Sequence, residues 1–275
     1  MKSIYVITGG GSGMGLDLAK LVGKLGKVII TGRTVKKLED AISELEALGI
    51  EAESYACDVS DLDSVKALAE FAAGQGEIKA VINAAGVSPH MTDGKTIFNI
   101  NSVGTVNVDE TFAEIMNAGS VILNVASMAA HMVPADQAPV QLYKAALQST
   151  EAFLAGAEQL LTMVPEEQKT GSAYSISKNF VVWYTKRAAV KYGKKGIRVV
   201  SISPGTFATP MGEIEGKQAS DMAELGALGR VGDPMEIAKV MAFIVSDDAS
   251  YMTGVDVLYD GGTVAALECM QDQQQ

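Results

Sequence analysis

Seven short runs rich in valine and isoleucine recur along the chain: SIYVIT (3–8), KVIIT (27–31), AESYA (52–56), AVINA (80–84), SVILNVAS (120–127), RVVSIS (198–203) and VDVLYD (255–260). They are apolar at successive positions rather than alternating, the pattern of strands covered on both faces. Between them lie GLDLAKLVGKLG, VKKLEDAISELEALG, LDSVKALAEFAAG and DPMEIAKVMAFIV, each with apolar residues at helical spacing. Strand alternating with helix predicts right-handed crossovers and a doubly wound α/β sheet. No linker or break in composition divides the chain, so one domain is expected over 1–268. The end of the chain, 269–275, reads as a frayed tail.

One segment departs from this rhythm. Forty-six residues separate Ser127, at the end of a predicted strand, from Tyr174, at the head of a predicted helix. Ordinary connections take a few residues. Part of the segment, VQLYKAALQSTEAFLAGAEQLLTMV between Pro139 and Pro165, has helical periodicity, which predicts a helical insertion over about 128–171.

A hydrophobic fraction of 48% with 20% charged residues describes a packed globule. The formal charge of −11 argues against wrapping nucleic acid or docking on anionic lipid, both of which need clustered Lys and Arg, and points to a small-molecule partner. The opening MKSIYVITGG runs into a strand without the features of a secretory signal, and no apolar run reaches the length of a membrane span. Cys57 and Cys269 are too few and too far apart for a disulfide framework or a zinc site. His90 and His131 have no partners at metal-ligand spacing, so no metal is expected. A reduced, cytoplasmic protein is the expectation.

Candidate chemistry begins at ITGGGSGMGLDLAKLVG, which follows the first strand and opens the first helix. Gly9, Gly13 and Gly15 would let backbone approach a pyrophosphate held at the helix N-terminus. After the second strand, in VIITGRT, Gly32 occupies the position where an acidic residue would read a free ribose 2′-hydroxyl, and Arg33 follows it. That favours NADP(H) over NAD(H), with NAD(H) still open, because arginine suits a 2′-phosphate. Ser12 stands where some NADP enzymes carry a second basic residue. Tyr174 and Lys178 in YSISK lie four apart, on one face of a helix, close enough for the ammonium to act on the phenol.

Taken in order, TGGGSGMG (Thr8 to Gly15), CDV, NAAG (Asn83 to Gly86), NSVG from Asn101, Ser127, YSISK, PGTFATPM (Pro204 to Met211), GRVGDPMEIA and SYMTGVDVLYDGG resemble the single-domain branch of the short-chain dehydrogenase/reductase family over nearly the whole chain. The resemblance implies a Rossmann-like fold with seven parallel strands and a nicotinamide cofactor. It implies cofactor contacts from Gly9, Ser12, Gly13, Met14 and Gly15 and from Arg33. Asp58 and Val59 would meet the adenine, and Asn83, Ala84 and Gly86 would lie beneath the adenosine ribose. Pro204, Gly205, Phe207 and Thr209 fall on the nicotinamide side, with Thr209 at the carboxamide. Tyr174 would pass the proton, and Ser127 would donate a hydrogen bond to the carbonyl oxygen. Lys178 would favour the phenolate and touch the nicotinamide ribose, and Asn101 would hold a water behind Lys178. Plainer structural roles stay open for three of them: Ser127 as the cap of a strand, Asn101 as the cap of the helix SVGTVNVDETFAEIM, and Asp58 as the cap of the helix beginning near Asp61.

The long insertion and the short connection VSPHMTDGKTIFNI resemble the subgroup containing bacterial 3α-hydroxysteroid dehydrogenase/carbonyl reductase. That implies a hydrophobic cyclic or hydroxysteroid-like alcohol or ketone. It also favours a homodimer through the last helix and strand over a homotetramer, because an added helical layer would cover the face used in the tetramer. Met128, Met132, Phe207, Met211 and Met222 would line an apolar substrate pocket or pack in the core. His131 reads as a satisfied loop histidine. Two rival functions are a nucleotide-sensing protein of the same fold without turnover, and a sugar-nucleotide epimerase or dehydratase; the set Asn101, Ser127, Tyr174 and Lys178 argues against the first and the short C-terminal part against the second.

Overall fold

In the structure, a computed structural model that describes residues 2 to 273, the seven runs form one sheet. Its strands are β1 Ser3–Thr8, β2 Lys27–Gly32, β3 Ala52–Ala56, β4 Glu77–Asn83, β5 Val121–Val125, β6 Arg198–Pro204 and β7 Asp256–Tyr259. They are ordered β3-β2-β1-β4-β5-β6-β7, and every pairing is parallel. β4 begins three residues before the apolar run that announces it, because Glu77 and Ile78 pair with Ser3 and Ile4 ahead of a register shift. The order reverses between β1 and β4, and ligands of such sheets bind at the carboxyl ends of the strands flanking that reversal.

The pleat explains why the strands read as unbroken apolar runs. In β1, Ile4 and Val6 point to one face, and Tyr5 and Ile7 to the other. The second face is covered by α1 Gly13–Val22, α2 Val35–Ala47 and α10 Pro234–Val245, through Leu18, Leu38, Leu45, Ile237 and Met241. The first is covered by α3 Leu62–Ala73, α5 Gly104–Ile115 and α8 Lys169–Gly193, through Val65, Leu68, Phe112, Phe180 and Tyr184.

Three element boundaries differ from the pattern in the sequence. The helix expected from Ser102 starts at Gly94: α4 Gly94–Phe98, capped by Asp93, runs through a π-helical turn, Asn99–Val103, into α5. Asn101 therefore sits inside a continuous helical stretch and caps nothing. α8 starts at Lys169, so Tyr174 stands in its second turn rather than at its head. At the other end, α11 Thr263–Asp272 continues through residues expected to fray, since Ala266, Leu267, Glu268, Met270 and Gln271 are good helix formers. The last two glutamines lie outside the described residues.

The single periodic segment of the insertion is two helices, α6 Val140–Ala146 and α7 Thr150–Leu161, because Ser149 interrupts it and caps α7 by accepting from the Ala152 N–H at 3.1 Å. Tyr143 and Phe153 are fully buried and dock the insertion. Phe153 packs edge-on against Phe98 at 5.8 Å and beside Phe180 at 5.7 Å, while Tyr143 lies 5.5 Å from both Phe180 and Trp183. Between β6 and α10 runs α9 Pro210–Leu225, interrupted at Gly216, whose φ of 57° and ψ of −132° are non-helical. Among the described residues no helix is long and apolar enough to cross a membrane.

Candidate active site

The loops at the carboxyl ends of β1, β2, β3 and β4 line an open cleft. Its floor is built by glycines that tolerate no side chain. A Cβ on Gly9, whose φ is +68°, would lie 2.9 Å from the Ala84 backbone, and one on Gly15 would lie 2.8 Å from the Gly9 carbonyl. The β1–α1 turn thus packs backbone to backbone against the end of β4. Ser12 is the residue before α1, yet its side chain accepts no bond from the first helical turn, which leaves those N–H groups to an anion. Met14 lies in that first turn. A Cβ on Gly13, whose φ is +55°, would lie 3.6 to 3.7 Å from the Thr209 and Pro210 side chains, so the turn also meets the loop after β6. These features fit a dinucleotide, with pyrophosphate on the α1 amides.

Gly9, Ser12, Arg33, Asp58, Val59 and Gly86 line the cleft together. Asn83 and Ala84 do not line it; they lead into Ala85 and Gly86, which do. The Asn83 Oδ1 accepts from Thr8 Oγ1 at 3.0 Å, and Thr8 Oγ1 accepts from the Ala85 N–H at 3.0 Å, so the two strand ends share one hydrogen-bonded chain. Asp58 does not cap α3. Asp61 does, accepting from the Asp63 N–H at 3.0 Å, while Asp58 accepts from the N–H and hydroxyl of Ser60 at 3.0 and 2.7 Å.

A second group of residues converges beside Gly86. Lys178 is buried at 6% exposure, and its Nζ donates to the Val125 carbonyl at 2.9 Å, two residues before Ser127. The same Nζ lies 5.9 Å from the centre of the Tyr174 ring. Burial pulls the Lys178 ammonium down to about 8. Asn101 accepts from the Val87 N–H at 2.9 Å and donates to the Val87 carbonyl at 3.1 Å and to Ser177 Oγ at 3.2 Å. Its amide therefore clamps the β4 loop to α8. A Cβ on Gly86 would reach 3.2 Å from Asn101 Oδ1 and 3.5 Å from Lys178 Nζ, which locates the two side chains against one glycine. Ser127 is 8% exposed and caps a 3-10 turn, Met128–Met132, with Oγ accepting from the Ala129 N–H at 3.2 Å. That bond occupies a lone pair and leaves the hydroxyl proton to donate.

On the β6 side, Pro204 ends the strand. Gly205 is obligatory in size, because a Cβ there would lie 2.6 Å from Asp260 Cα. Thr209 caps α9 by accepting from the Gly212 N–H at 3.2 Å. Of the two places open to the Phe207 side chain, a substrate pocket or the core, it takes the core: it is buried at 6% exposure, stacked on Tyr259 at 6.0 Å and covering Gly232. Met128, Met211 and Met222 are half-buried and Met132 is exposed. His131 is held by Asp256, Nε2 to Oδ2 at 2.8 Å, and that carboxylate raises the imidazole above its ordinary range. Among the described residues no three His, Cys, Asp or Glu side chains gather to hold a metal.

Sequence reasoning missed Lys37 and Thr34, which line the cleft beside Arg33. The signal was present: Lys37 follows Arg33 by four, and both fall at the entry to α2. Neither cation makes an ion pair among the described residues, in contrast to Lys36 next door, which is tied to Asp40 at 2.6 Å.

A family model described as short chain dehydrogenase matches residues 3–159, and one described as enoyl-(acyl carrier protein) reductase matches 161–264. A short-chain dehydrogenase/reductase of Alternaria brassicicola is 30% identical, with 97% of each chain covered. Cyclohexanol dehydrogenase of Acinetobacter sp. (strain SE19) is 29% identical over 94% of each. Among solved structures, levodione reductase superposes with a TM-score of 0.77 at 27% identity, covering 96% of this chain and 98% of that one. With the seven-stranded sheet, the glycine-floored cleft and this extent of similarity, the chain belongs to the short-chain dehydrogenase/reductase family.

Proposed function

We propose that this protein is an NADP(H)-dependent oxidoreductase interconverting a secondary alcohol and a ketone, with a hydrophobic cyclic compound as substrate. The observation that carries the reading is the convergence of Lys178 and Asn101 on Gly86, beside the nucleotide cleft, with Lys178 bonded to the end of β5 two residues before Ser127. A nicotinamide dinucleotide bound there supplies or accepts the hydride. The chain supplies the proton and the oriented charge. Tyr174 Oη gives its proton to the oxygen of the carbonyl, or takes one from the alcohol. Phenols ordinarily titrate near 10, so the nearby Lys178 charge is needed to favour the phenolate near neutral pH. Lys178 keeps that charge up to about pH 8. Ser127 Oγ–H donates to the same carbonyl oxygen as negative charge grows on it. Asn101 fixes the loop and holds a water behind Lys178.

Arg33 and Lys37, which make no ion pair among the described residues and line the cleft together, support NADP(H), since a 2′-phosphate would pair with both. The cyclohexanol dehydrogenase relative supports a cyclic substrate. The insertion over α8 supports a homodimer built on the β7 edge of the sheet, where β7 pairs only with β6 among the described residues and Tyr251, Val255 and Leu258 are exposed.

Paired assays test the reading. With cyclohexanone, open-chain and steroid ketones, NADPH oxidation is expected to exceed NADH oxidation at least tenfold, and Arg33→Ala with Lys37→Ala to erase that ratio. Tyr174→Phe should abolish turnover while NADPH still binds. Equal rates with NADH refute the cofactor assignment, and activity retained in Tyr174→Phe refutes the proton donor. Tight NADPH binding with no hydride transfer to any ketone would instead identify a sensor.

A further inference from the structure

The turn that carries Ser127 is short. Within it the Ala130 N–H bonds back to the Ser127 carbonyl at 2.9 Å, and its orientation relative to α8 comes from a side chain. Asn179, next after Lys178, donates from Nδ2 to the Ala130 carbonyl at 2.8 Å. The other end of the same amide is fixed as well: Asn179 Oδ1 accepts from Tyr143 Oη at 2.8 Å. Tyr143 belongs to the insertion, is fully buried, and has its ring set against Phe180 and Trp183. Its hydroxyl also approaches the Ile176 carbonyl at 3.3 Å. A phenol donating to Oδ1 decides which way the amide points, because the reversed amide would set its oxygen against the Ala130 oxygen.

We propose that Asn179 and Tyr143 are positioning residues for Ser127, so that the insertion, through these two side chains, sets where the serine hydroxyl stands. The inference rests on the catalytic reading above. Tyr174, Lys178 and Asn179 lie within six residues of one helix. A bond from that helix to the turn therefore references the serine to the same rigid body as the phenol and the ammonium. Displacements of about 1 Å in such a site cost roughly a hundredfold in rate.

Two variants separate the links. Asn179→Asp keeps an acceptor for Tyr143 and removes the donor to Ala130, while Tyr143→Phe keeps the rings and removes the hydroxyl. With cyclohexanone and NADPH as probes, Asn179→Asp is expected to lower kcat about ten- to a hundredfold, and Tyr143→Phe about three- to tenfold. KM and NADPH affinity should stay within about threefold, since the lost interaction acts in the transition state. The double variant should lose no more than Asn179→Asp alone, because both act through one bond. Amide hydrogen exchange should quicken in residues 126–132 of both variants and stay unchanged in α2 and α10. Additive losses in the double variant, or unchanged exchange at 126–132, overturn the proposal. Quickened exchange in a protein whose unaltered form transfers no hydride leaves the brace standing and refutes the oxidoreductase reading.

Discussion

Lys178 and Asp109 are both buried ionisable groups drawn towards their neutral forms by desolvation, and only Lys178 adjoins the site. Asp109, on α5, is fully buried, and burial raises its carboxyl to about 7 from an ordinary value of 3.8. One oxygen accepts from Asn124 Nδ2 at 2.8 Å, and that nitrogen also reaches Thr185 Oγ1 at 3.2 Å. The other oxygen has no hydrogen-bond partner among the described residues. Because the folded protein holds this proton more tightly than the unfolded chain, the contribution to stability is fully present below about pH 4 and is lost as the pH rises through about 7. Asp109→Asn removes the titration. Its stability relative to the parent should rise by about 1–3 kcal/mol between pH 5 and pH 8, read from urea unfolding at both values. A difference independent of pH would show that the carboxyl titrates normally in the fold.

At the scale of elements, the insertion is held chiefly by aromatic contacts. Phe153 joins α7 to both α4 and α8, and truncating it leaves a cavity that its fixed neighbours cannot fill. Phe153→Ala is expected to cost about 3–5 kcal/mol, measured as a shift in the urea midpoint at unchanged slope. Much of this architecture is legible in the chain, since a strand buried on both faces has to be apolar throughout and a covering helix has to show its stripe. What escapes is set by contacts between distant parts. The π-helical turn at Asn101 has no local signature, because it is fixed by the bonds from Asn101 to Val87 and Ser177. Phe207 reads as a pocket residue from its place after Pro204, yet packing against Tyr259 decides its direction. Lys37 sits in an ordinary amphipathic helix, where its spacing of four from Arg33 is a weak signal until the fold places it in the same cleft as Asp58.

For the molecule as a whole, the β7 edge of the sheet and the outer face of α8 are unequal. Near β7 an apolar band includes Tyr251, fully exposed, and Leu258, while the outer face of the first half of α8 lies under α6 and α7. A homodimer through the β7 edge should sediment at about twice the chain mass, and Tyr251→Asp should shift it towards the monomer; a tetramer would show that the insertion leaves the α8 face open. The long helix has a further consequence. From Ser172 to Tyr192 it contains neither glycine nor proline and is anchored along its length. It is a jointless rod about 30 Å long over that stretch, so the phenol and ammonium it carries cannot flex independently of the sheet beneath. α9 differs in kind, since the non-helical angles of Gly216 divide it into two arms joined at a single residue.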